Sequence, residues 1–229
     1  MRAKIKLLVL SILPLLCGMQ AQIGDRNFSP TNAITFVNLS TAALPSSSFS
    51  ITSTGTAHFV AVVLDTSNIS SDPTSVTVGS QSATKYPVCT TNLGYGDICL
   101  WYVSNSTGSQ TTVTTNGSIY YAWVYEFSGT NTSSPMDSNG TCTSIGGGYC
   151  NAAVLPTIAN EGTLAAFTYC TGGGGPGSIS GSPTSFSNQS SYYFQNAGEA
   201  VLSSSSVETA VMASAGGTNG CSGIIWSFL

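Results

Sequence analysis

The stretch Ile119-Tyr120-Tyr121-Ala122-Trp123-Val124-Tyr125-Glu126-Phe127 decides the fold class. Side chains alternate along a strand, so Tyr121, Trp123, Tyr125 and Phe127 fall on one face. Tyr120, Ala122, Val124 and Glu126 fall on the other. Aromatic and β-branched residues suit a pleated, half-buried surface, and a strand is expected. Upstream, 111–115 alternates around Val113 and runs into Asn116-Gly117, a two-residue turn signal that predicts a hairpin.

Similar short runs recur outward from this strand, at 33–38, 49–54, 58–65, 75–79, 98–104, 163–170, 191–195, 208–213 and 223–229. Gly, Ser, Asn or Pro bounds each one. Val76 and Val78 alternate with Thr77 into a turn at Gly79-Ser80, and Ser203 to Ser206 reads as a turn between two strands. The segment 128–150 reads as a stapled loop between sheets, and no internal repeat is evident. No window outside the first 21 residues carries a helical period. The expectation is all-β: one domain over 22–229, a single antiparallel β-sandwich of jelly-roll or Ig-like type.

Residues 1–21 have the form of a secretory signal peptide. Arg2, Lys4 and Lys6 precede an apolar stretch from Leu7 to Cys17, and Ala21 supplies a small residue before a cut at Gln22. That stretch is too short for a membrane span, and no later one reaches the necessary length. Without it, Arg26 and Lys85 stand against nine carboxylates. A nucleic-acid binder needs cations to displace counterions from phosphates, so that class is excluded, and an anionic membrane surface with it. The 37 Ser and 28 Thr in 229 residues give an unusually hydroxyl-rich, weakly charged chain.

Six cysteines remain beyond Cys17, an even number that suits an oxidising compartment. The expected bridges are Cys89–Cys99, Cys142–Cys150 and Cys170–Cys221. Zinc is disfavoured, since no C-x-x-C pair occurs and His58 is the sole imidazole. No metal or cofactor is expected. Calcium ligation by Asp65 with Asn68 and Asp72, or by Asp137 with Asn139, is the weaker alternative to solvated turns, because no EF-hand spacing occurs.

Catalytic constellations are thin. A Ser-His-Asp hydrolase would depend on His58, and no G-x-S-x-G elbow is present. Ser82-Ala83-Thr84-Lys85 spells S-x-x-K inside a strand-rich segment without its partner motifs. A jelly-roll glycosidase would pair Glu126 with Glu161, Glu199 or Glu208 at about 5 Å. The aromatics speak to binding: flat rings stack on sugars, which makes Trp101, Tyr121, Trp123 and Tyr125 candidate contacts for a polysaccharide or cell-surface glycan. The same rings equally suit a sandwich core. Eight N-x-[ST] sequons begin at Asn27, Asn38, Asn68, Asn105, Asn116, Asn131, Asn139 and Asn188.

The order of phrases 75–84, Leu100-Trp101-Tyr102-Val103-Ser104, Val124-Tyr125-Glu126-Phe127-Ser128-Gly129, 163–167 and Ile224-Ile225-Trp226-Ser227-Phe228 resembles secreted Ig-like or jelly-roll β-sandwich modules of environmental bacteria. The resemblance covers roughly 50–229 and implies an extracellular sandwich, with no activity or site residues to carry over. The expected function is a secreted, non-catalytic module for adhesion or carbohydrate binding. A self-associating structural protein of the cell exterior is the alternative, and a glycosidase using Glu126 comes third.

Overall fold

The computed structural model describes residues 33–43, 47–66, 72–92, 96–117, 119–144, 149–168, 177–192, 195–213 and 221–229. The expected signal segment, Asn68 and Cys170 lie outside them. Ten strands come first: β1 (Thr35–Ala43), β2 (Ser48–Ser50), β3 (Phe59–Thr66), β4 (Val76–Val78), β5 (Gln81–Ser82), β6 (Thr84–Lys85), β7 (Thr90–Asn92), β8 (Gly96–Val103), β9 (Thr112–Thr115) and β10 (Tyr121–Ser128). Eight follow: β11 (Met136–Ser144), β12 (Tyr149–Val154), β13 (Gly162–Thr168), β14 (Ile179–Ser182), β15 (Ser187–Tyr192), β16 (Gln195–Val201), β17 (Glu208–Ala213) and β18 (Cys221–Phe228). Every ladder is antiparallel. No helix among the described residues is long and apolar enough to cross a membrane.

The all-β expectation holds, but the strands form four sheets rather than two. The first inner sheet runs β1-β10-β3-β8-β6, with β7 also on β8, and the first outer sheet runs β2-β9-β4-β5. The second inner sheet runs β11-β18-β13-β16-β15, and the second outer sheet runs β12-β17-β14. Three apolar interiors separate them. Val60, Val62 and Leu64 of β3 meet Val76, Val78 and Val113 of the first outer sheet. Phe59, Ala61 and Val63, on the opposite face of β3, meet Leu164, Ile224, Trp226 and Phe228 of the second inner sheet. Ala165, Phe167 and Ile225 then meet Ala152, Ala210 and Met212 of the second outer sheet.

The central strands β3, β10, β13 and β18 of the inner sheets are therefore buried on both faces. That is why 59–64 reads as an unbroken apolar run, where a sheet wetted on one side alternates apolar with polar. The faces assigned to 121–127 are as expected: Tyr121, Trp123, Tyr125 and Phe127 enter the central interior, while Ala122 and Val124 face the outer sheet. Tyr120, expected beside Ala122, instead packs against the central interior, because the strand begins only at Tyr121 and the alternation does not extend before it. Phe59 stacks on Phe228 with ring centroids 4.8 Å apart, and Phe127 meets the same ring edge-on at 4.7 Å. Trp123 Nε1 donates to Ser190 O at 2.8 Å, and Asn139 Nδ2 donates to Tyr86 Oη at 2.9 Å, so polar bonds also join the two halves.

The strand order repeats. β1-β10-β3-β8 over β2-β9-β4 in the first half corresponds to β11-β18-β13-β16 over β12-β17-β14 in the second. Sequence did not show this, because equivalent positions carry different residues. Setting Phe127 equivalent to Phe228, register places Phe59 opposite the first and Gly162 opposite the second.

Two local expectations are corrected. Asn116-Gly117 does not close a hairpin: β9 pairs in the outer sheet and β10 in the inner one, so the chain crosses between layers. Asn116 instead accepts from the Thr74 and Ser75 N–H groups, both at 2.9 Å. The segment 128–150 is not a loop, since it holds β11 and the start of β12. Its bridge does join two sheets, as expected. The Gly79-Ser80 turn between β4 and β5 holds, with Gly79 at φ 57°, a region open to glycine.

Cys89–Cys99 and Cys142–Cys150 form as expected. Cys221 is also disulfide-bonded, and the expected partner Cys170 lies outside the described residues.

Because the Phe228 ring is fully buried between the halves, Phe228→Ala should lower unfolding stability by about 3–5 kcal/mol in denaturant melts. A loss well under about 1 kcal/mol would contradict a shared central interior.

Candidate functional site

The four aromatics expected to contact a glycan do not reach the surface. Trp123 and Tyr125 are fully buried, and Trp101 and Tyr121 are 4% and 6% exposed. Trp101 packs between the first two sheets, and the other three pack in the central interior. Two inner sheets need large side chains to fill two interfaces each, and that demand takes these rings. The aromatic stacking platform is thus withdrawn as a binding surface.

The acidic residues share that fate. Asp65, Asp97, Glu126, Asp137, Glu161, Glu199 and Glu208 are all buried, leaving Asp72 as the half-exposed carboxylate among the described residues. Buried carboxylates need donors, and for Glu126 and Glu161 segments beside breaks in the ladders supply them. β1 carries a register shift between Phe36 and Asn38, and Glu126 lies beneath it. Its Oε1 accepts from Gly55 N at 2.6 Å and hydrogen-bonds His58 Nδ1 at 2.6 Å, while Oε2 accepts from Asn38 Nδ2. Gly55 is glycine because a Cβ there would run into the His58 ring.

The second half repeats this arrangement with other residues. β11 shifts register between Met136 and Asn139. Glu161 stands just before β13, as His58 stands just before β3. Its Oε1 accepts from Thr157 N at 2.6 Å and Ile158 N at 2.8 Å. Thr157 also donates through N and Oγ1 to Asp137, each at 3.1 Å, and Ser227 Oγ donates to Asp137 at 3.3 Å. Two carboxylates thus share one threonine. Sequence reasoning missed this pair, because the residues are 24 apart in number and only the repeated strand order brings them together.

A histidine held at Nδ1 by a buried glutamate is the orientation a general base needs, but a base requires a nucleophile on its other nitrogen. The nearby Ser106 hydroxyl bonds instead to Thr54 Oγ1 at 2.9 Å and to Gly108 N at 3.1 Å. The glycosidase pairing is not assembled either. Glu126 faces the first outer sheet, Glu199 lies on the central-interior face of β16, and Glu208 points into the interior of the second outer sheet with Ala210 and Met212. Each has its own donors, from Asn188 to Glu199 at 2.7 Å and from Thr184 N to Glu208 at 3.1 Å.

Among the described residues, the cluster with metal-ligand side-chain types is Asp72 with Cys89 and Cys99. Its sulfurs are joined to each other, so no thiolate is available to a soft metal. Of the calcium candidates, Asp137 is held by Thr157 and Ser227, and Asn139 by Tyr86. Sequon asparagines also serve the fold: Asn38 caps Glu126, Asn131 Oδ1 accepts from Ser133 N and Ser134 N, and Asn188 donates to Glu199.

No family model matches the chain, and no curated protein or solved structure does.

Burial sets the electrostatics. It pushes the Glu161 carboxyl up to about 7, helped by the Asp137 charge and opposed by the Ile158 N–H. Glu199 and Glu208 are raised chiefly by burial, against donors that pull them down. A carboxyl whose folded pKa is raised stabilises the fold fully below its unfolded value, and that contribution is lost as pH rises through the folded value. Stability should therefore decline from about pH 4.5 to about pH 7, and Glu161→Gln should flatten the upper part of that decline. Urea midpoints across that range measure it. Midpoints that rise with pH would contradict the assignment.

Proposed function

We propose that the protein is a secreted, non-catalytic module that adheres to a neutral polysaccharide through its first outer sheet. The observation that carries this reading is the outward face of that sheet. Register sets Ser48, Thr114, Thr77 and Ser82 in one row across four strands, with Ser50 opposite Thr112 in the next. Strands in such a row are spaced about 4.8 Å apart. No charged residue occurs on β2, β4, β5 or β9. Neutral hydroxyls exchange partners with a sugar polymer without stripping water from a charge. Each exchange is worth only about 0.5–1.5 kcal/mol, so binding would come from many contacts along a polymer.

The strand order β1-β10-β3-β8 over β2-β9-β4-β5 supports reading each half as a jelly roll, an architecture that hosts lectins among other functions. That support is analogy of fold alone. The basic and apolar N-terminal segment and the disulfides support secretion.

Self-association is the second reading, favoured by one feature. Leu155 and Val207 are 57% and 50% exposed and flank the Val154–Glu208 pair at the end of edge strand β12. Exposed apolar residues clustered at the end of a sheet invite another chain.

Depletion of the protein from solution by insoluble neutral polysaccharides tests the first reading. The expected result is loss onto the polymer that persists at high salt and falls at least tenfold in Thr77→Lys/Thr114→Lys. No depletion by any neutral polymer would overturn it. Concentration-dependent sedimentation abolished by Leu155→Lys would establish the second reading instead.

A further inference from the structure

The end of the first inner sheet carries more negative charge than its donors satisfy. Asp97 at the start of β8 is 5% exposed, and its Oδ1 has no hydrogen-bond partner. It sits opposite Thr66 in the β3–β8 register. Thr66 Oγ1 donates to Asp72 Oδ1 at 2.8 Å, which brings the Asp72 carboxylate to the same end. The Cys89–Cys99 bridge holds that position, since Cys99 Sγ lies 3.5 Å from Asp72 Oδ2 and two residues from Asp97 on the same face of β8. The counter-charge present is Lys85, whose Nζ is 3.3 Å from Asp72 Oδ2. One residue back along β3, on the opposite face, Asp65 buries a third carboxylate with neither oxygen partnered.

We propose that Asp97, Asp72 and the Thr66 hydroxyl form a calcium site. The donors are all oxygen, two of them carboxylates, which selects a hard cation over zinc or copper. Donors drawn from two strands and the segment after β3 form an irregular set. Calcium tolerates such sets, whereas magnesium demands a near-ideal octahedron. An unpartnered buried carboxylate oxygen is costly, and a divalent ion supplies the missing charge to both Asp97 and Asp72. Burial and the Asp72 charge raise the Asp97 carboxyl to about 6, with Lys85 opposing, and burial and Asp97 raise Asp65. The site is separate from the hydroxyl rows of the outer sheet and stands whether or not the polysaccharide reading does.

Calorimetric titration of the full chain with calcium chloride at pH 7, with thermal melts in calcium and in EGTA, tests it. The expected dissociation constant is about 0.1–1 mM, the range of extracellular modules. At about 10 mM calcium the folding equilibrium should then shift by roughly ten- to a hundredfold, and magnesium should give less than a tenth of that effect. Asp97→Asn keeps the shape and removes the unpaired charge, so it should melt in EGTA no lower than the parent while losing the calcium response. Asp72→Asn, on the more exposed side, should lose it too, and Glu208→Gln should keep it. A parent chain with neither heat nor melting shift up to about 10 mM calcium would overturn the site, as would a full calcium response in both Asp97→Asn and Asp72→Asn.

Discussion

A sheet buried on both faces has to be covered twice, and this constraint shapes the rest of the molecule. β3, β10, β13 and β18 carry large or branched side chains on both faces, so each inner sheet needs a partner on either side. The inner sheets cover each other through the Phe59–Phe228 stack and its surroundings. Short outer sheets cover the remaining faces, and the chain must cross repeatedly between layers to build them. Every crossing and bulge leaves backbone N–H groups that no ladder partner reaches.

Buried carboxylates answer that need. Glu126 collects Gly55 N, Glu161 collects Thr157 N and Ile158 N, and Glu208 collects Thr184 N. The two halves solve the same geometric problem with different chemistry: a histidine and a glutamate in one, two acids sharing a threonine in the other. The consequence for function is an exterior with few charges. In an ordinary domain acidic side chains face water and keep copies apart. Among the described residues all but Asp72 are buried, and hydroxyls and amides face outward. That distribution suits contact with neutral hydroxylated material or with copies of the chain.

The alternation in 121–127 was legible, because period two with aromatics needs no tertiary information. Two disulfides were legible from short cysteine spacings. What was not legible depended on which layer a strand joins. Asn116-Gly117 carries a strong local turn signal, yet β9 and β10 belong to different sheets, and pairing partners override the local preference. β15, with the sequence Ser187-Asn188-Gln189-Ser190-Ser191-Tyr192, has no apolar pattern to mark it, and its identity as a strand comes from pairing with β16. The repeated strand order was hidden because only topology is repeated, with His58 standing where Glu161 stands and Glu126 where Ser227 stands. The candidate binding aromatics were read from residue type alone, and type does not distinguish a ring that stacks on sugar from one that fills a space between sheets. The polar cluster at Glu126 was visible only as an isolated acid on an aromatic strand.

The central claim is that the two halves share one interior and fold as a single unit. Native-state hydrogen exchange of the backbone amides of β3 and β13 under increasing denaturant tests it most directly. The account predicts that the slowest amides of both strands exchange through one opening with the same free energy and the same denaturant dependence. Exchange of β13 through a separate, lower-energy opening that leaves β3 protected would contradict it.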